Sequence, residues 1–466
     1  MIEKIINLTN DALYSYILII LLVLGGIWFT IRTRFAQFRL IGQQFKSVTE
    51  KTEKNGVSSF QALMVSTASR VGTGNIIGVA TALCVGGFGS VFWMWIIALI
   101  GAASAFVEST LAQIYKKRGK DGCYGGPAYY IEAATKRKGI AILFSVFLIL
   151  TYGIGFNMLA SYNLQATFSS YGFYNPTVTP WLIGLVIAIL VGYCLIGGGK
   201  RLIKVTSSLV PIMGALYILV AIAISLINVK VLPNLFRQIF VGAFDWKAIF
   251  GGFGGSCVMY GIKRGLFSNE AGVGSAPNAS ASAEVSHPAK QGLVQVLSVF
   301  IDTLLVCSAT AFMCMSSGVT PPTTSDQAAT YVQNALSVTL GNVGPIFITV
   351  AMVLFAFTTL LGNLFYVDKT INYLLGKEPN RKFKNVYYIL ASAVIFVGAG
   401  LSADLLWGVA DILMAGMTII NMPVILYLGK YAIRTLKDYE SKLKQGGTIT
   451  FHTKDIDLPH NTDYWN

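Results

Sequence analysis

Three stretches of this chain carry no charged residue over a length sufficient to cross a membrane: Leu13–Ile31, Trp181–Gly199 and Val205–Val229. A helix rises ~1.5 Å per residue, so about 20 apolar residues span the ~30 Å hydrocarbon core. The stretches are continuously apolar rather than alternating, which predicts helices and not barrel strands. Tolerating isolated charges extends the reading to eleven spans, near residues 13–31, 58–86, 89–115, 139–168, 181–199, 203–228, 246–284, 288–316, 343–374, 386–402 and 404–429. Composition points the same way. Only 12% of the 466 residues are charged and 54% are hydrophobic. A soluble domain carries about 25% charge, and this chain has too little to coat several soluble surfaces. The first span lacks a basic leader and a small-x-small cleavage site, so it reads as a retained helix and not a signal peptide.

The formal charge of +14 suggests a nucleic-acid partner until the basic residues are sorted by position. Alternate connecting segments hold 27 of the 35 Lys and Arg residues. The opposite face holds four, Lys4, Lys230, Arg237 and Lys247, and Arg70, Lys263, Arg264 and Lys369 fall inside spans. Such asymmetry is the signature of a cytoplasmic face. It predicts a plasma-membrane protein with its N-terminus outside and its C-terminus in the cytoplasm. No compact basic domain exists, so nucleic acid is not an expected partner.

Catalytic and metal chemistry find little support. Cys84, Cys123, Cys194, Cys257, Cys307 and Cys314 have no metal-ligand spacing, and His287, His452 and His460 lie in loops or the tail. No enzyme and no organic cofactor is expected. Gly72-x-Gly74 follows no strand, so it is not a dinucleotide fingerprint. Gly192 to Lys200 imitates a phosphate loop, but Arg201 stands where Ser or Thr belongs. Gly251-Gly252-Phe253-Gly254-Gly255 reads as close helix packing.

Two spans differ from the rest. The second carries Ser69-Arg70-Val71-Gly72-Thr73-Gly74-Asn75 at its centre, and the seventh carries Gly261-Ile262-Lys263-Arg264-Gly265-Leu266-Phe267-Ser268-Asn269-Glu270-Ala271-Gly272. Glycines and charges at mid-membrane predict half-helices joined by unwound backbone, tolerated only where protein or a wet cavity surrounds it. With the first span set aside, ten remain in two groups of five, each opening with its broken helix and entering from opposite faces. Asn75 precedes Glu108 by 33 residues and Glu270 precedes Asp302 by 32. Paired interrupted segments in inverted halves point to a transporter's central site. Free N–H groups at a half-helix start suit a carboxylate, and free carbonyls at the other end suit a cation or ammonium. Thr358 and Thr359 in span nine add adjacent hydroxyls for a hard cation such as Na⁺, although such a pair also bonds readily to its own helix. Glu108, Glu270, Asp302 and Asp411 are costly inside a membrane; they serve either coupling or ion pairs with Arg70, Lys263 or Arg264.

These residues also carry a family resemblance. Gly86-Gly87-Phe88-Gly89-Ser90-Val91-Phe92-Trp93-Met94-Trp95, Gly72-Thr73-Gly74-Asn75 and Gly265-Leu266-Phe267-Ser268-Asn269-Glu270-Ala271-Gly272 resemble motifs of the alanine/glycine:cation symporters, the sodium:alanine symporter family. Ser90 departs from an expected Gly or Ala. The resemblance implies an all-α polytopic protein with eleven transmembrane helices. One N-terminal helix would precede a 5+5 inverted-repeat core of the amino-acid and neurotransmitter sodium symporter fold, with two discontinuous helices. The corresponding segments are 1–56, 57–230, 231–430 and a cytoplasmic tail 431–466, for which only partial order is expected beyond Lys444.

By the same resemblance, the N–H groups of Thr73 and Gly74 beside Asn75 take the substrate carboxylate. Phe267, Ser268 and Asn269 face the amine. Ala68 and Val71 carbonyls with Thr358 and Thr359 hydroxyls hold sodium. Arg70 sits awkwardly beside a cation and is expected to turn to Glu108 or Glu270. Asn363 stands where alanine-selective relatives carry Trp, which enlarges and polarises the pocket. The implied activity is sodium-coupled import of a small neutral amino acid, alanine or glycine, with glutamine or asparagine as an alternative and proton coupling as the rival mechanism. A passive channel would need a repeated filter, which is not found. A monomer in the lipid bilayer is sufficient for this reading.

Overall fold

The structure, a computed structural model, describes residues 2–50, 56–119, 122–246, 256–446, 449–459 and 462–465. Gly251–Gly255, Lys51, Lys54, Lys120, Lys247 and His460 lie outside the described residues. The chain is helical almost throughout; a short antiparallel pair, Lys117–Gly119 with Gly122–Tyr124, interrupts it.

The helices that build the site are α1 (Leu8–Arg32), the pair α2 (Ser59–Arg70) and α3 (Gly74–Gly86), and α4 (Ser90–Ile114). There follow α5 (Lys138–Ala166), α6 (Thr179–Ile196) and α7 (Gly198–Ile227). The second part comprises α8 (Cys257–Asn269), α9 (Pro277–Ser280), α10 (Pro288–Ser316), α11 (Ala328–Leu340), α12 (Val343–Leu375), α13 (Arg381–Gly398) and α14 (Ala403–Gln445). Among the described residues, eight helices are long and apolar enough to cross a membrane, or nine if the bent pair α2–α3 is one span. The eleven expected spans are thus met in part. The seventh lacks residues 247–255 among the described ones, and α13 begins in the polar run Arg381-Lys382-Phe383-Lys384-Asn385, which dilutes its apolarity.

α10 and α4 form the centre, with 72% and 67% of their most apolar stretch buried, against 28% for α7. They pack along one another, α8 packs on α4, and α12 lies across α2 and α5. Outer faces such as Leu219, Ile222 and Leu226 of α7 remain exposed, as an apolar solvent requires. α14 continues unbroken from Ala403 to Gln445, past residue 430.

Both interrupted helices are real but differ in where they break. α2 is held by a capping box, with Gln61 N–H donating to Ser58 Oγ (3.1 Å) and Ser58 N–H to Gln61 Oε1 (2.9 Å). It ends at Arg70, Val71 leaves helical geometry (ψ 86°), and the chain resumes as α3 bent by 50°. α8 is capped by Ser256 and runs through Gly261 and Gly265 without interruption. Those two glycines let α8 lie against α4: a Cβ at Gly261 would meet the Ser90 carbonyl at 2.5 Å, and one at Gly265 would meet Ile97 Cγ2 at 2.7 Å. α8 ends at Asn269, inside the expected Gly261–Gly272 stretch, and the second break runs from there to Pro277, with Glu270 in a left-handed conformation (φ 53°).

Candidate functional site

At the first break the backbone is rerouted by one side chain. Gly72 N–H donates to Asn75 Oδ1 (2.8 Å) and so turns away from Ala68, its expected partner four residues back. The Ala68 carbonyl instead accepts from Thr359 Oγ1 of α12 (3.1 Å). Gly72 is required here, because a Cβ would collide with Thr359 Oγ1. Asn75 N–H returns to Gly72 O (3.2 Å), leaving Thr73 and Gly74 at the head of α3. There the first N–H groups of a helix lack intrahelical acceptors. Gly74 lies under Phe267 of α8, whose Cε1 would sit 2.8 Å from an added Cβ.

Phe267 is the joint between the two breaks. Its ring packs on Phe156 of α5 (4.6 Å between centroids) and on Trp407 of α14 (4.8 Å). The Arg264 guanidinium lies 4.0 Å from the Trp407 ring centre. Asp411 binds Lys263 Nζ (2.7 Å) and Arg264 Nη1 (3.3 Å), and all three charged residues are buried. One side of the site is thus closed by an aromatic stack backed by an ion network.

The carboxylates inside the spans interlock. Asp302 sits in a π-helical turn of α10, Phe300–Cys307, and accepts from Asn75 Nδ2 (2.7 Å), Ser268 Oγ (2.8 Å) and Thr303 Oγ1 (2.8 Å). Glu108 of α4 accepts from Gly272 N–H (3.3 Å) and Asn421 Nδ2 (3.0 Å). Asp302 thus ties the first break to α10, and Glu108 ties the second break to α4. Glu270 accepts from Ser69 Oγ (3.1 Å) and Ser275 Oγ (2.7 Å). Asn269 Nδ2 reaches Thr303 Oγ1 (3.3 Å). Ser268 and Asn269 are therefore engaged with α10.

Arg70 forms no ion pair with Glu108 or Glu270. It is buried, and its Nη1 donates to Gln295 Oε1 (2.9 Å). Lys263 and Arg264, which the sequence offered as partners for several acids, are both taken by Asp411.

The two threonines separate. Thr359 faces the first break, whereas Thr358 Oγ1 bonds to Leu354 O (2.9 Å) and Phe355 O (3.2 Å) of its own helix and approaches Met213 Sδ (3.4 Å). Residues 358 and 359 differ by 100° around a helix, so one turns inward when its neighbour does not.

Asn363 is fully buried and is held between the end of α2 and α5. Its Oδ1 accepts from Ser69 Oγ (2.7 Å), and its Nδ2 donates to Asn157 Oδ1 (2.9 Å). Asn157 and Asn163 of α5 were not singled out in the sequence. Asn163 Nδ2 donates to Thr73 Oγ1 (3.2 Å). Both are buried, yet Asn157 Nδ2 and Asn163 Oδ1 have no hydrogen-bonding partner among the described residues. A signal was available: amides deep in an otherwise apolar span are expensive without partners. Trp407 was likewise missed, because nothing local distinguishes a lid tryptophan from a core one.

The profile of the sodium:alanine symporter family matches residues 1–453. The amino-acid carrier protein AlsT of Bacillus subtilis is 40% identical over 464 residues, covering 99% of this chain and 97% of that protein. A protein named probable sodium/glutamine symporter GlnT, from the same organism, is also 40% identical, covering 99% and 95%. The sodium/alanine symporter AgcS of Methanococcus maripaludis is 34% identical, covering 94% and 97%. Among solved structures, a Na⁺-coupled sialic acid symporter in a substrate-bound outward-open state superposes with a TM-score of 0.52 at 14% identity, covering 95% of this chain and 93% of that one. At that identity the likeness concerns the fold alone.

Proposed function

The chain belongs to the sodium:alanine symporter family, and from that premise we propose that it imports a small neutral amino acid, driven by the inward sodium gradient through alternating access. The observation that carries this reading is the first break. There one asparagine diverts Gly72 N–H and frees the Ala68 carbonyl toward Thr359. A freed carbonyl, the neighbouring Val71 carbonyl and a hydroxyl make a hard oxygen set suited to Na⁺. Thr358 joins it only after leaving the carbonyls of its own helix. The head of α3, at Thr73 and Gly74 beside Asn75, takes the substrate carboxylate, and the ammonium lies under Phe267 toward Ser268 and Asn269. Sodium and substrate are both cargo, bound on either side of one broken turn.

The 27-to-4 distribution of basic residues supports an external N-terminus and a cytoplasmic C-terminus. On this orientation the Phe267–Trp407 stack and its Asp411 network close the outer side. The segments 57–230 and 231–430 act as the two inverted halves, and one chain holds the whole site, so a monomer suffices.

Alanine and glycine fit the family, but a carboxamide substrate has specific support. Asn157 Nδ2 is a buried donor and Asn163 Oδ1 a buried acceptor of α5, each without a partner among the described residues. The carboxamide of glutamine or asparagine complements either one. A pocket built to hydrogen-bond discriminates far more strongly than one that sorts by methylenes.

Uptake into proteoliposomes under an imposed Na⁺ gradient, with alanine, glycine and glutamine in competition, tests both levels. Accumulation that collapses when choline replaces Na⁺ is expected. Accumulation driven by a pH gradient and indifferent to Na⁺ would overturn sodium coupling and turn attention to Asp302, Glu108 and Glu270 as proton carriers.

A further inference from the structure

In the C-terminal segment, residues 449–459 and 462–465 dock against the helices. Trp465 Nε1–H donates to the Gln113 carbonyl at the end of α4 (2.7 Å), and Thr453 N–H donates to Trp465 O (3.1 Å). The Lys116 ammonium lies 3.8 Å from the Tyr464 ring centre and 4.9 Å from that of Trp465. Arg118 N–H donates to Asp463 Oδ2 (2.7 Å). On its other flank, Phe451 packs edge-on against His287 (5.0 Å) and Trp465 (5.4 Å). Lys442 joins Asp438 (2.9 Å) to Asp455 (2.6 Å), and Arg434 Nη1 donates to Ile456 O (3.0 Å).

What lies beneath is the junction of the two broken helices. Gln113 Nε2 donates to the carbonyls of Ser280 and Ala283, and Lys116 Nζ also donates to Ala283 O (2.9 Å). Ala283 pairs as a parallel bridge with Val57, and Glu284 N–H donates to Val57 O (2.9 Å). Val57 immediately precedes the Ser58 cap of α2, and Ser280 ends α9, the short helix beyond the second break. The inner ends of both interrupted helices therefore meet at Val57–Ala283. The two residues that grip Ala283 are also those that the tail contacts, Lys116 at its ammonium and Gln113 at its backbone carbonyl.

We propose that residues 449–459 and 462–465 form a latch over the Val57–Ala283 junction that must loosen before the inner ends of the broken helices part. A path from the central site to this face has to open that junction. The tail adds aromatic cover over Lys116 and a hydrogen bond on Gln113, and both contacts favour the closed arrangement only. That this opening delivers substrate to the cytoplasm rests on the sidedness proposed above; the latch contacts themselves do not.

The test introduces Val57→Cys into the full-length reconstituted chain and measures its rate of labelling by a membrane-impermeant maleimide applied from the tail side. The six native cysteines are buried, and the unsubstituted chain gives their background. Trp465→Ala is expected to raise the labelling rate roughly 5-fold, the lower end of typical coupling between two sites. Trp465→Phe, which keeps the ring but loses the indole N–H, is expected to fall between. A chain ending at Gln445 should match or exceed Trp465→Ala and alter the rate of Na⁺-driven alanine uptake. Labelling and uptake indistinguishable from the parent in both Trp465→Ala and the shortened chain would overturn the latch. Labelling does not require transport, so absence of Na⁺-driven uptake in the parent would count against the symport reading and leave the latch result standing.

Discussion

Replacing Thr359 with Ala probes the proposed sodium site at its best-defined atom. Its hydroxyl donates to the Ala68 carbonyl over 3.1 Å, a bond worth about 1 kcal/mol net. With Na⁺ bound the same oxygen faces a full charge, and interactions with charged groups contribute about 1.5–3 kcal/mol. Alanine loses both terms. The difference, about 0.5–2 kcal/mol against ion binding, raises the Na⁺ concentration for half-maximal uptake by roughly 2- to 30-fold at ~1.4 kcal/mol per decade. Thr359→Ser keeps the oxygen and should stay near the parent. Thr358→Ala should do less than Thr359→Ala, because the Thr358 hydroxyl must first abandon Leu354 O and Phe355 O. The assay is initial-rate alanine uptake in proteoliposomes across a Na⁺ titration. An unchanged Na⁺ requirement in Thr359→Ala, or a larger shift in Thr358→Ala, would refute the assignment of roles.

Three further outcomes follow from the same geometry. Asn363→Trp fills the wall with indole and strips Asn157 and Ser69 of their partner; competition by glutamine should weaken relative to alanine and glycine, and unchanged glutamine competition would remove Asn363 from selectivity. Asp411→Asn leaves Lys263 and Arg264 buried without their carboxylate, a loss of about 3–5 kcal/mol for a broken buried pair, so the unfolding midpoint in detergent should drop clearly, and an unaltered midpoint would show the network to be solvated. Burial pushes the His287 imidazole below its usual pKa, with the nearby Asp438 opposing that effect and Lys442 and Lys290 adding to it. The neutral form is therefore the one the fold accommodates. Stability is full above about pH 6.5, the ordinary histidine value, and declines as pH falls toward the depressed one, because the unfolded chain binds the proton first. Thermal midpoints from pH 8 to pH 5 should show this decline, and His287→Gln should flatten it; an equal decline in that variant would place the effect elsewhere.

The two interrupted helices illustrate how much could be read from the chain. Val71-Gly72-Thr73 announced a break and supplied one, because a glycine and a charge at mid-membrane have no local reason to stay helical. In α8 the same reasoning put the break within Gly261–Gly272, and the helix ends inside that stretch, at Asn269. Gly261 and Gly265 are there for the approach of α4, whereas the unwinding occurs at Glu270, whose left-handed turn is held from a distance by Ser69 and Ser275. Arg70 shows a similar limit. A buried cation needs a partner, but residue types could not say that the partner would be the neutral Gln295 while Asp411 took both Lys263 and Arg264.

Membrane residence, the family and the surroundings of the breaks were settled by the sequence itself, because apolar length, charge placement and short motifs are local properties. The helix count was approached by the same route and met in part. Tertiary structure alone decided which threonine meets the freed carbonyl, which acid anchors which break and where a polar tail docks. Each of those depends on side chains separated by up to about 400 positions, such as Lys263 with Asp411 or Trp465 with Gln113. Hydrogen bonds and ion pairs act only over a few ångströms. Packing brings such groups within that range, and no spacing along the chain encodes it.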